Sequence, residues 1–127
     1  MARVDFNKKK VAKQVNNSAS KFIRKIALDG MRQLIRQSPL DTGRFKANWS
    51  TSINNMDLGT TESTTAAFSS QSQAIRYYKL GQTMFLHNNL EYAMPLEYGT
   101  SKQAPRGWVR NTAIQMQKKM NEIKDLI

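Results

Sequence analysis

Cysteine is absent from the 127-residue chain, and histidine occurs once. The first absence removes disulfides, thiol nucleophiles and zinc–thiolate sites. The second leaves little for metal or acid–base schemes. Acidic residues are scarce, nine against 20 lysines and arginines, for a formal net charge of +11. No apolar run approaches the roughly 18 residues of a membrane span. The first residues, Met1-Ala2-Arg3-Val4-Asp5-Phe6, hold no apolar stretch of signal-peptide length. Neither GxGxxG nor GxxxxGKS/T occurs, so no phosphate loop is encoded.

What is there is enough for one domain, expected to span residues 1–127. Hydrophobic residues make up 39% of the chain, and the mean hydropathy of −0.62 belongs to a soluble fold. The chain is too short for two cores. The charge is uneven: residues 1–50 carry a net +9, residues 51–100 a net −2, and residues 101–127 a net +4. Basic ends favour nucleic acid, anionic lipid or an acidic protein, and charge alone does not choose among them.

Residues 8–37 read as one long helix. Its apolar stripe is Val11, Val15, Phe22, Ile23, Ile26, Ala27, Met31, Leu34 and Ile35, with spacings of three and four. The stripe is sparse before Ser18 and dense after it. Residues 1–18 are therefore expected to form a basic arm, projecting or partly flexible, with Lys8, Lys9, Lys10 and Lys13 free to meet a partner or DNA. Gly30 lowers helix propensity by about 1 kcal/mol, which marks it as a close contact. Pro39 ends the helix. A turn follows at Asp41–Gly43, where aspartate caps and glycine permits a positive φ.

Phe45, Ala47 and Trp49 alternate with polar residues and the parity runs on to Ile53, which predicts a half-buried strand. Residues 54–72 carry no clear pattern. Residues 74–80 predict a short helix closed by Gly81, and residues 83–88 a second strand. The stretch from Glu91 to Pro105 holds two of the three prolines and two of the four tyrosines. It reads as a buried corner around two carboxylates, Glu91 and Glu97. A last helix follows, with Val109, Ala113, Met116, Met120, Ile123 and Ile127 forming its seam. The two seams are expected to pack together.

Candidate chemistry is thin. Asp41, Glu91 and Glu97 carry no metal-ligand spacing, and carboxylates beside turns serve mostly as caps or ion-pair partners. His87 lies in an apolar strand without a nucleophile motif. Tyr77, Tyr78 and Trp108, near Arg106 and Arg110, fit either stacked bases or a core. No catalytic residue, cofactor or metal is expected.

Three segments go beyond composition: Ser38-Pro39-Leu40-Asp41-Thr42-Gly43-Arg44-Phe45-Lys46-Ala47-Asn48-Trp49, then Asn88-Asn89-Leu90-Glu91-Tyr92-Ala93-Met94-Pro95-Leu96-Glu97-Tyr98-Gly99-Thr100, then Gln103-Ala104-Pro105-Arg106-Gly107-Trp108-Val109-Arg110. In this order the chain resembles the neck and tail-completion proteins of tailed bacteriophages, the lambda minor tail protein Z-like group. The resemblance covers roughly residues 20–120. It implies an α+β fold, with a long amino-terminal helix and a carboxy-terminal helix packed on a small antiparallel sheet. It implies Pro39, Asp41, Gly43, Arg44, Trp49, Tyr92, Glu97, Tyr98, Gly99, Pro105 and Arg110 as fold-determining residues, with Glu97 paired to Arg44 or Arg110. It also implies a non-enzymatic virion protein at the head–tail junction, assembled in the host cytoplasm. Its partners would be copies of itself in a ring, a hexamer among the expected sizes, with neighbouring neck, tail-terminator or tail-tube proteins. Contact with genomic DNA would be non-specific, and no membrane is involved. A small non-specific nucleic-acid-binding protein is the alternative reading.

Overall fold

Helix α1, Lys8–Gln37, runs for 30 residues, about 45 Å at 1.5 Å per residue. The computed structural model describes residues 8–39, 43–91 and 107–124, with side chains of this helix from Lys13 onward. The buried stripe of α1 is Ala19, Ile23, Ile26, Ala27, Met31 and Leu34, the dense half expected from the periodicity. The helix stops where Pro39 forbids another turn. The Ser38 hydroxyl pins that end, donating to Leu34 O at 2.5 Å and accepting from Trp49 Nε1 at 2.7 Å.

Gly43 stands at φ +84 and opens a single helical turn, α2, Arg44–Ala47. Strand β1 is Trp49–Ile53. The strand expected from Phe45 therefore begins four residues late. Phe45 and Trp49, four apart, meet edge-on with ring centroids 6.1 Å apart, a helical spacing that the alternation also allows. Asn48 closes the turn, its backbone N–H bonded to Arg44 O and Phe45 O. Its side chain holds Thr61 from both sides, donating to Thr61 O at 3.0 Å and accepting from Thr61 N at 2.9 Å.

After an exposed, irregular stretch come a second helical turn, α3, Phe68–Gln71, and a 3-10 turn, Gln73–Tyr77. The short helix expected at 74–80 is this tighter turn. Gly81 does not cap it: Tyr78 is already extended. Gly81, at φ +99, sits third in a separate turn closed by Gln82 N to Lys79 O at 3.1 Å. That position of a type II turn requires a positive φ.

Strand β2, Met84–Asn88, pairs antiparallel with β1, Trp49 opposite Asn88 and Ile53 opposite Met84. Helix α4, Trp108–Ile123, packs against α1. The fold is thus α+β, helices over a small antiparallel sheet. The α4 seam is turned slightly from the one expected: Trp108 and Thr112 are buried, whereas Ala113 is exposed. Trp108 decides this. It is fully buried, lies 6.0 Å edge-on to Phe45, and donates Nε1–H to Leu34 O at 3.3 Å. Thr112 tolerates burial because its hydroxyl donates to Trp108 O at 2.8 Å.

Two apolar clusters make the core. One joins Met31, Leu34, Phe45, Trp49, Ile75, Leu90 and Trp108; the other joins Ile23, Ile26, Tyr78 and Ile123, and Met84 packs against both. Gly30 is where the long helices come closest. A Cβ there would stand 2.5 Å from Met116 Sδ, the close contact expected of a glycine kept in mid-helix.

Candidate functional surface

Every side chain from Lys13 to Ser18 is exposed, and burial begins only at Ala19. The stretch Lys13–Ser18 of α1 is thus open to solvent on both flanks. On one flank lie Lys13, Asn16, Asn17, Ser20 and Arg24, whose spacing of three, four, seven and eleven from Lys13 keeps them on one side of a helix. Lys79 and Leu80 face them across a groove of about 520 Å³. Hydrogen bonds hold this second wall in place. Arg24 donates to Tyr78 O, from Nε at 2.8 Å and also from Nη2. Leu80 N donates to Ser20 Oγ at 3.0 Å, and Lys79 N to Gln82 Oε1 at 2.8 Å. Among the described residues the groove therefore gathers three cations and no carboxylate. The ion pairs among described residues lie elsewhere, Arg32–Asp29 and Arg44–Glu62.

On the opposite flank Val15 and Phe22, seven residues apart, are 39% and 47% exposed. Nearby, Ile23, Ile26, Tyr78, Met84, Met116 and Met120 line an apolar cleft of about 310 Å³. Burial there pushes the Tyr78 phenol above its ordinary pKa.

The remaining arrangement with chemical potential is Ser52 and His87, brought together across the sheet with Oγ 2.8 Å from Nε2. Both are buried, each 7% exposed, and Ser52 Oγ also accepts Asp57 N–H at 3.2 Å. A working serine–histidine pair needs an accessible nucleophile and a group orienting the far ring nitrogen. His87 Nδ1 is buried without a hydrogen-bond partner. The nearby Asn89 amide nitrogen is committed to Asp57 O and Gly59 O. Burial lowers the imidazole pKa below its ordinary 6.5, against smaller upward pulls from Asn89 and the Asp57 carboxylate. The pair satisfies a buried interior more than it prepares a reaction.

Of the residues singled out from sequence, Pro39, Gly43 and Trp49 are buried around the end of α1, and Lys13 lines the groove. Arg44 bonds Glu62 Oε1 and Thr61 O, each at 3.0 Å. Arg110 is exposed in the first turn of α4. Lys8, Lys9 and Lys10 belong to α1, but their side chains lie outside the described residues. Asp41, Tyr92, Glu97, Tyr98, Gly99 and Pro105 also lie outside them, and with them the expected Glu97 ion pair and most of the expected corner. Trp108 and Tyr78 are core residues and present no ring to a base; Tyr77, 68% exposed, remains outside. Asn16, Asn17, Arg24 and Lys79 were not singled out. The helical spacing of the first three was available, but Lys79 joins them only through the fold.

Among the described residues no cluster of three or more histidines, aspartates or glutamates could hold a metal ion, and no helix is long and apolar enough to cross a membrane. Comparison with protein-family models, curated proteins and solved structures finds no match.

Proposed function

We propose that this chain is a structural virion protein of a tailed bacteriophage, a ring-forming tail-completion or head–tail joining subunit. The three motif segments, in their order and separation, support the family. One structural observation carries the assembly part of the reading: Lys13–Ser18 of α1 stand exposed ahead of its buried stripe, with Val15 and Phe22 exposed along one flank. Apolar side chains on a helix without a core beneath them gain from a neighbouring protein surface. That neighbour is an adjacent subunit or an adjoining neck or tail ring. The role is assembly at the head–tail junction, without catalysis.

The test is deletion of residues 1–15 together with the double substitution Val15→Asp/Phe22→Asp in the full chain. Both proteins should keep near-native helix signal per residue, since neither change reaches the core. Both should lose self-association in sedimentation and fail to enter particles. Full-length protein that stays monomeric and is missing from purified virions would refute the reading. Truncated protein found in infectious virions would remove the arm from it.

A further inference from the structure

We infer that the groove between the polar flank of α1 and the Tyr78–Leu80 segment binds the phosphodiester backbone of nucleic acid. This names the surface for the non-specific DNA contact that the virion reading expects, and its test does not depend on that reading. Three observations converge. Lys13, Arg24 and Lys79 face one concavity, and among the described residues no carboxylate lines it. Arg24 is held there by the Tyr78 carbonyl, and the neighbouring Leu80 N–H is tied to Ser20, so the fold fixes the Arg24 side chain and the backbone that carries Lys79. Their positive charges add in one concavity and favour an anion from outside. Next, the lining supplies ammonium, guanidinium and amide donors, with Leu80 alone apolar. Protein interfaces are organised on an apolar centre, whereas phosphate oxygens ask only for donors and positive charge. Finally, Lys13 to Arg24 covers eleven residues of helix, about 16 Å. That is the length of roughly five base-pair steps measured along a duplex axis at about 3.4 Å each. Among the described residues no aromatic side chain lines the groove, so contact is with the backbone and independent of base sequence.

The experiment compares full-length protein with Lys13→Gln/Lys79→Gln and with a charge-matched control, Lys118→Gln/Lys119→Gln on the exposed side of α4. All four lysines are exposed, so folding is unaffected. Binding to labelled duplex DNA and duplex RNA of arbitrary sequence is followed by fluorescence anisotropy between about 50 and 300 mM salt. Each phosphate contact contributes about 0.9 to the slope of log affinity against log salt. The groove variant should therefore show a slope shallower by about 1.8, and the control an unchanged slope. That result with either duplex supports the inference, and the tighter duplex identifies the source of the phosphates. Equal flattening in both variants would overturn it, because affinity would then belong to the total charge. So would the absence of duplex binding at the lowest salt. Polyglutamate bound as tightly as the duplexes, with the same loss in the groove variant, would overturn it in favour of an acidic polypeptide.

Discussion

Gly43 and Gly81 offer a matched pair of substitutions that separates backbone strain from collision. Both have a left-handed φ, +84 and +99. Replacing either by alanine costs the angular penalty, about 1–2 kcal/mol. Around Gly81 an added Cβ meets nothing within 4 Å, so Gly81→Ala should lose that much and no more. At Gly43 the Cβ would stand 2.1 Å from the carbonyl oxygen of Thr64. Backbone cannot swing aside as a side-chain tip does, and forced contacts of this kind cost about 1–3 kcal/mol more. Gly43→Ala should therefore lose about 2–5 kcal/mol, and its melting midpoint should fall several degrees further than that of Gly81→Ala, at roughly 4 °C per kcal/mol. The clash persists only if Thr64 is anchored, and Asn48 anchors that loop through Thr61. The losses from Gly43→Ala and Asn48→Ala should hence be sub-additive, since freeing the loop relieves the collision. Urea titrations of the wild type, the three single variants and the Gly43→Ala/Asn48→Ala double variant decide it. Equal losses at the two glycines, or strict additivity with Asn48→Ala, would refute the account of Thr64 as the excluding group.

Gly30→Ala gains about 1 kcal/mol of helix propensity but drives a methyl towards Met116 Sδ at 2.5 Å, so it should be neutral or destabilising by up to about 2 kcal/mol. In a Met116→Ala background the same change should turn stabilising; the same sign in both backgrounds would show that the helices do not touch there. His87 is the one histidine and there is no cysteine, so it is the side chain expected to titrate between about pH 7.5 and 5.5. Its native pKa is lowered, so the unfolded chain takes up the proton first. Stability should be full above the ordinary 6.5 and fall as pH drops below it. Denaturation midpoints should show this decline, which His87→Asn should abolish; a flat wild-type profile would contradict it. Met120→Asp puts a charge in the apolar cleft and should cost about 1–3 kcal/mol. The neighbouring exposed Lys119→Asp should stay within about 0.5 kcal/mol, a contrast read directly from two melting curves.

The long helix was legible to both its ends, because thirty residues of three–four spacing and a closing Ser38-Pro39 leave no competing reading. Phe45 to Ala47 was misread for the opposite reason. Three apolar residues at intervals of two fit a strand, and equally a helical turn running into one. What decides is Gly43 at positive φ and the Asn48–Thr61 bonds, which link positions thirteen apart. The α4 seam is legible at Val109, Met116, Met120 and Ile123, and differs only where Thr112 is buried in place of Ala113. Only the Trp108 contacts to Phe45 and Leu34 settle it. The groove is half legible: Lys13 and Arg24 share a flank by arithmetic, but Lys79 is brought to them by the flanking Tyr78 O and Leu80 N, bonded to residues 54 and 60 positions away. The Ser52–His87 pair, 35 residues apart, has no local signature at all.

The contact of Trp108 Nε1 with Leu34 O joins residues 74 positions apart, and this has a consequence for synthesis. During translation the apolar stripe of α1 is made early and its main partner, Trp108–Ile123, late. Until α4 has emerged, Ile23, Ile26 and Met31 have no α4 to pack against. Closing so long a loop costs entropy before any contact rewards it. Folding is thus deferred until the second half of the helix pair exists, and chains stalled or cleaved before Trp108 should present an aggregation-prone helix to the cell's chaperones.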